Sequence, residues 1–184
     1  MKRIALALAI VFCLSSVAFG ALRAGSVGIE FENLLIGNPL SGLSGPYNTA
    51  GLTAMPALFY QFTEDVSGSV GFIYVSDPIP ATDDTDTYMG LKLKGLWNLG
   101  SGKTVPHVGA EIGYESYTDA STPANDFTLM QLAILYGVEA MWLPGLSVML
   151  DARLLDYQGK DVSGTSDTQL VLLSGATFGI RWYM

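Results

Sequence analysis

Charged side chains recur at alternate positions in this sequence. Glu30 and Glu32, Lys92 and Lys94, Glu111 and Glu115, and Asp151 and Arg153 each share a segment, with Glu139 and Arg181 placed singly. On a common face, opposite charges at that spacing can neutralise one another or line a narrow path for ions or small solutes. Other chemistry-bearing residues are scarce. The single histidine is His107. A Ser-His-acid site needs its three groups within hydrogen-bond reach, and His107 stands at the start of its segment, away from the aspartate-rich stretches. It reads as a satisfied rim residue, and no catalytic residue is expected. With Cys13 the single cysteine, no transition-metal cluster and no cofactor are expected. Asp77, Asp83, Asp84, Asp86, Asp119, Asp126, Asp161 and Asp167 lie in polar stretches. The 81–86 stretch superficially resembles a calcium loop but lacks its glycine and terminal glutamate, and reads as a solvated acidic loop.

These residues sit in a chain of 184 residues that is 49% hydrophobic and 14% charged, with 21 glycines and a net charge of −8. The mean hydropathy is +0.36. That length suits one domain. High hydrophobicity with low charge excludes a disordered chain. With 9 Lys and Arg against 17 acids, there is no basic cluster of the kind phosphate contacts require, so no nucleic-acid partner is expected.

The first twenty residues read as a secretory signal peptide. Lys2 and Arg3 form a basic start, residues 4–17 an apolar stretch, and Ala18-Phe19-Gly20 a small-residue cleavage site. The apolar stretch is short of the ~20 residues a membrane-spanning helix needs. Cleavage after Gly20 removes Cys13, Lys2 and Arg3, so the mature domain, 21–184, is acidic and free of thiols.

Beyond residue 24 the hydrophobicity alternates residue by residue, the signature of strands. Eight segments are expected: 24–36, 51–62, 66–76, 88–99, 105–117, 127–142, 146–157 and 168–184. In the fourth, for example, Met89, Leu91, Leu93 and Trp97 oppose Gly90, Lys92, Lys94 and Asn98. Short turns near 63–65, 100–103 and 143–145 alternate with longer polar loops at 37–50, 77–87, 118–126 and 158–167. In an up-and-down antiparallel sheet this puts all short turns at one end and all long loops at the other. The expected fold is all-β, an eight-stranded antiparallel up-and-down transmembrane β-barrel.

A soluble barrel would share the alternation with its apolar face inward, so orientation needs separate arguments. Tyr60, Phe62, Trp97, Trp142 and Trp182 end the apolar face at the short-turn side, and Tyr74 and Tyr114 end it at the long-loop side. Two such bands suit amphipathic rings at lipid headgroup level. The opposite face carries Gly28, Gly71, Gly90, Gly109, Gly113, Gly137, Gly175 and Gly179, as the tight interior of an eight-stranded barrel requires.

The sequence resembles the small eight-stranded outer-membrane barrels of Gram-negative-type bacteria. Residues 105–114, VPHVGAEIGY, are similar to that family's recurring Pro-aromatic-Val-Gly-Ala-x-x-Gly-Tyr strand, with His107 in place of the aromatic. Tyr60-Gln61-Phe62-Thr63 resembles its strand end before a periplasmic turn. Phe178, Ile180, Trp182 and Met184 resemble its C-terminal signal, although Met184 departs from the commoner final Phe. The resemblance implies a monomer in the bacterial cell outer membrane, inserted by the barrel-assembly machinery through the C-terminal strand and surrounded by outer-membrane lipid. It implies no active site.

On this reading Glu30, Glu32, Lys92, Lys94, Glu111, Glu115, Glu139, Asp151, Arg153 and Arg181 form a lumen charge network. Lys94 should face Glu111, with Lys92 diagonal to Glu111 and Glu115. Arg181 should lie near Glu30, and Glu139 near Asp151 and Arg153, with Arg153 shielding both acids. Leu96, Leu135, Met141, Met149, Leu155 and Leu173 would also point inward and plug the lumen. The expected role is structural or surface-interacting. The alternatives are a narrow porin-like channel and, more distantly, a lipid-modifying outer-membrane enzyme. Exported protein should begin at Ala21 by intact mass. A mass retaining residues 1–20 would contradict the cleaved leader.

Overall fold

In the computed structural model, the structure describes residues 24–32, 55–78, 85–123 and 126–184. The leader 1–20, the 37–50 loop and Asp83 and Asp84 lie outside the described residues. Alternating faces leave the chain one way to separate oil from charge, which is to roll into a cylinder. The strands are β1 (Val27–Glu32), β2 (Met55–Gln61), β3 (Val66–Pro78), β4 (Thr85–Asn98), β5 (Thr104–Thr118), β6 (Phe127–Leu143), β7 (Leu146–Val162) and β8 (Thr165–Tyr183). Each pairs antiparallel with the next, and β8 returns to β1, closing the barrel. This is the all-β, eight-stranded antiparallel barrel expected from the alternation.

The faces are inverted relative to a water-soluble barrel. Outward along β4 stand Leu91, Leu93 and Trp97, all exposed, while Lys92, Lys94, Leu96 and Asn98 are buried between them. Along β2, Leu58 and Tyr60 face out, and Ala57, Phe59 and Gln61 are buried. Tyr60, Phe62, Tyr74, Trp97, Tyr114 and Trp142 are exposed, whereas Trp182 is half-buried.

Two expectations fail in the β7–β8 hairpin, for separate reasons. The stretch 158–167 is not a loop. Both strands run on to a two-residue turn at Ser163 and Gly164, with φ of 51° and 82°. Positive φ at both central residues gives a turn whose twist matches that of its strands. Asp161 stabilises it by accepting hydrogen bonds from Gly164 N (3.0 Å) and Ser166 Oγ (2.7 Å). Polarity marked this stretch as loop, but a strand tip that projects beyond the apolar belt is polar too.

The second failure is a bulge. Arg153 pairs with Leu135 and Gly175, but Leu155 pairs with Ile134 and Leu172, so Leu154 is an extra residue relative to β6. On β8 Leu173 adopts a φ of 54° at the same place. The bulge shifts the alternation by one. Leu155 and Leu173, expected inside, are therefore exposed at 37% and 73%, and Asp156 turns inward to 0%. A strict period of two cannot foresee a bulge, because one extra residue exchanges the faces beyond it.

Gly164 takes a left-handed φ of 82° that costs a residue with a side chain about 1–2 kcal/mol. Gly164→Ala should therefore lower the midpoint of urea unfolding. An unchanged midpoint would contradict the turn assignment.

Candidate functional site

The candidate site is the barrel interior. Glu30 and Glu32 of β1, Lys92 and Lys94 of β4, Glu111 of β5, Glu139 of β6, Asp151 and Arg153 of β7, and Arg181 of β8 are all buried. Strand alternation brings them to one enclosed face, as expected. Glu115 is the exception. It is half-buried and hydrogen-bonded to Tyr88.

Lys94 is the hub. Its Nζ lies 2.8 Å from Glu30 Oε1 and 3.6 Å from Asp151 Oδ2, and it pairs with Glu32 Oε1. Because β1 and β4 are not neighbours, these contacts cross the lumen instead of running along the wall. Lys92 pairs with Glu32 and stands 3.9 Å from Glu111 Oε2, while Arg153 Nη2 donates to Glu111 Oε1 at 2.7 Å. On the other side Arg181 donates through Nη2 (2.5 Å) and Nε (2.9 Å) to Glu30 Oε2, and through Nη1 to Glu139 Oε2 at 2.7 Å. Glu139 Oε1 also accepts from Ser147 Oγ and Tyr183 OH. One connected network therefore runs from Glu139 through Arg181, Glu30, Lys94, Glu32, Lys92 and Glu111 to Arg153.

Sequence reasoning placed the backbones better than the side chains. Lys94 is the cross-strand partner of Glu111, as the position of the β4–β5 turn implied, and Arg181 of Glu30, as closure of the barrel implied. The Arg181–Glu30 ion pair forms accordingly. The Lys94 side chain, however, leaves Glu111 to Lys92 and Arg153 and reaches across to β1. The expected group of Glu139, Asp151 and Arg153 does not form. Glu139 lies opposite Met149, not Asp151, and goes to Arg181, while Arg153 goes to Glu111. Neighbouring-strand logic has no view of contacts across a barrel's interior.

His107 is not a rim residue. It is fully buried, with Nε2 2.6 Å from Asp151 Oδ1. The two meet over Gly137, where a Cβ would stand 2.1 Å from Asp151 Oδ1 and 2.6 Å from His107 Nε2. Its shared parity with Gly109 and Glu111 was the signal that it points inward. Asp156 was missed because of the bulge. Its carboxylate is held by Gln131 Nε2 (2.8 and 2.9 Å), Gln158 Nε2 (2.8 Å) and Ser174 Oγ (2.7 Å).

Apolar and neutral groups fill the rest of the interior. Leu96, Leu135 and Met149 are buried as expected, and Met141 is half-buried. Toward the short-turn end Phe59 and Tyr183 pack edge to face at 4.8 Å, and Gln61 Nε2 donates to the Thr63 carbonyl at 2.6 Å, capping the β2–β3 turn. At the other end aspartates accept from the backbone of the β5–β6 loop. Asp86 Oδ1 accepts from Ala120 N (3.0 Å) and Asp126 Oδ1 from Asp119 N (2.7 Å). Asp119 Oδ1 accepts from Ser121 N (3.0 Å) and Thr122 N (2.7 Å). Among the described residues no group of three or more His, Cys, Asp or Glu side chains is placed to hold a metal ion. No protein-family model and no curated protein sequence matches this chain.

Removing Lys94 takes one cation from three buried carboxylates at once, and breaking a buried ion pair from one side costs about 3–5 kcal/mol. Lys94→Ala should lower the urea midpoint strongly, whereas Lys103→Ala, in an exposed turn, should leave it nearly unchanged. Equal midpoints for the two variants would remove the hub from the account.

Proposed function

We propose that this chain is an integral β-barrel protein of a bacterial outer membrane, with a structural or surface-interaction role and a lumen closed by paired charges. The observation that carries this reading is the inversion of faces. Leu58, Phe72, Leu93, Trp97, Leu150 and Leu172 are each more than 45% exposed, while Glu30, Lys94, Asp151 and Arg181 are at most 4% exposed. Exposed apolar patches beyond a few hundred Å² are rare on water-soluble monomers. A bilayer reverses that penalty, because an apolar wall then faces hydrocarbon. The closed barrel leaves no sheet edge to be satisfied in lipid. On β4 the apolar outer face spans Met89 to Trp97, close to the ~9–11 residues of a tilted membrane-crossing strand.

Within that setting the lumen favours a closed barrel over a channel. Lys94 and its partners bridge opposite walls, with Phe59, Leu135 and Met149 packed around them and at most 1% exposed. An ion moving along the axis would have to separate several buried pairs. The long-loop end supports a role in presenting a surface. Ser163 donates to the Pro123 carbonyl through Oγ (3.1 Å) and to the Asp126 carbonyl through its backbone N–H (3.2 Å), fastening the β7–β8 tip to the β5–β6 loop. The proposed partners are therefore outer-membrane lipid around the belt and whatever the loops meet outside. The protein acts as a monomer and without catalysis.

Refolded protein should insert into planar bilayers without discrete conductance steps, with heat-modifiable gel migration confirming that it is folded. In cell fractionation it should sediment with outer-membrane density. Reproducible unitary steps would replace the closed barrel with a narrow channel. Recovery in the soluble fraction would overturn the membrane reading.

A further inference from the structure

The seam that closes the barrel is described over β1 residues 27–32. Described β1 has six residues and meets β8 through the pairs from Gly28–Tyr183 to Glu32–Gly179. Backbone hydrogen bonds do not distinguish one register from another, and in–out alternation forbids only slips by an odd number of residues. A slip by two keeps every side chain on its face and changes the barrel's shear, and with it the width of the lumen. Among the described residues, the contacts that distinguish one register from another lie on the inward face of the seam.

Two sets of contacts there depend on register. Gly28 lies between its two cross-strand partners, Phe59 on β2 and Tyr183 on β8, whose rings meet at 4.8 Å. A Cβ on residue 28 would stand 2.2 Å from Phe59 Cε1 and 2.1 Å from the Trp182 carbonyl oxygen. Two positions along, Glu30 lies opposite Arg181 and accepts from both its Nε and Nη2. The third guanidinium nitrogen holds Glu139 on β6, and the guanidinium carbon sits 4.4 Å from the centroid of the Phe59 ring.

We propose that this glycine–aromatic–arginine cluster is the register latch of the closing seam, the set of contacts that makes one β1–β8 alignment more stable than its two-residue neighbours. Slipping one way sets Tyr183 opposite Glu30 and away from Gly28. Slipping the other way sets Arg181 opposite Gly28, where the Phe59 ring fills the space, and leaves Gly179 opposite the Glu30 carboxylate. In both directions a buried charge loses its matched partner, which is where polar groups are best placed to specify a unique arrangement.

Outward cysteine pairs read the register directly. In the chain carrying Cys13→Ser, Ile29→Cys is combined with Trp182→Cys for the observed alignment, or with Ile180→Cys or Met184→Cys for the slipped ones. Each is refolded and cross-linked with a short thiol-specific reagent. With the seam intact, the Ile29–Trp182 pair should dominate. In Gly28→Ala and in Arg181→Lys, which keeps the charge but loses the planar fork, the slipped-to-native ratio should rise about tenfold, equivalent to roughly 1.4 kcal/mol of lost discrimination. Leu135→Ala, a buried lumen substitution away from the seam, is the control. An unchanged ratio in the seam variants, or an equal rise with Leu135→Ala, overturns the proposal. Any seam variant that fails to fold is replaced by Glu30→Gln under the same criterion.

Discussion

Lys94 sets the central constraint on this barrel. Its ammonium group is wholly enclosed and stands among carboxylates from β1 and β7. An isolated charge in such a place is prohibitively expensive, and the barrel offsets that cost only by bringing matching charges from distant strands to one point. Glu30 therefore serves two cations, Lys94 and Arg181, and Glu32 serves Lys92 and Lys94. The pairs are mutually dependent. Displacing any strand that carries a member leaves a buried charge on another, so the polar interior ties the wall together across its diameter, where backbone hydrogen bonds act only between neighbours.

The glycines follow from the same crowding. Gly137 leaves room for the His107–Asp151 contact, and Gly28 for Phe59 to approach Tyr183. Each allows a large or charged side chain on an adjacent strand to lie across the wall. Glycine weakens a strand taken alone, but here it admits contacts that hold several strands at once. The outer face needs no such matching. Leu, Val and aromatic residues there meet only their neighbours and the surrounding medium.

Much of this was legible in the residues. Alternation along β4, where Lys92, Leu93 and Lys94 point in, out and in, follows from the geometry of any strand, and turn positions located Lys94 opposite Glu111. His107 was legible too, since its parity with Glu111 points it inward, but its place beside a turn suggested the rim. The tip of the β7–β8 hairpin was not, because polarity in a stretch such as 158–167 marks contact with water and not the absence of a strand. Asp156 was hidden for another reason: the extra residue at Leu154 reverses the assignments beyond it on β7 that depend on counting.

The sequence by itself determined the number of strands and, away from the Leu154 bulge, the two faces and the charges that share the inner one, because these depend only on residue type and a period of two. Tertiary structure decided which charge meets which. Lys94 bonds with β1 and not with its strand neighbour Glu111, and Arg153 takes Glu111 and not Glu139. The physical reason is closure. Once β8 returns to β1, inward side chains from all sides share one narrow space, and distances across it are set by the barrel's width and stagger. No spacing along the chain contains those quantities.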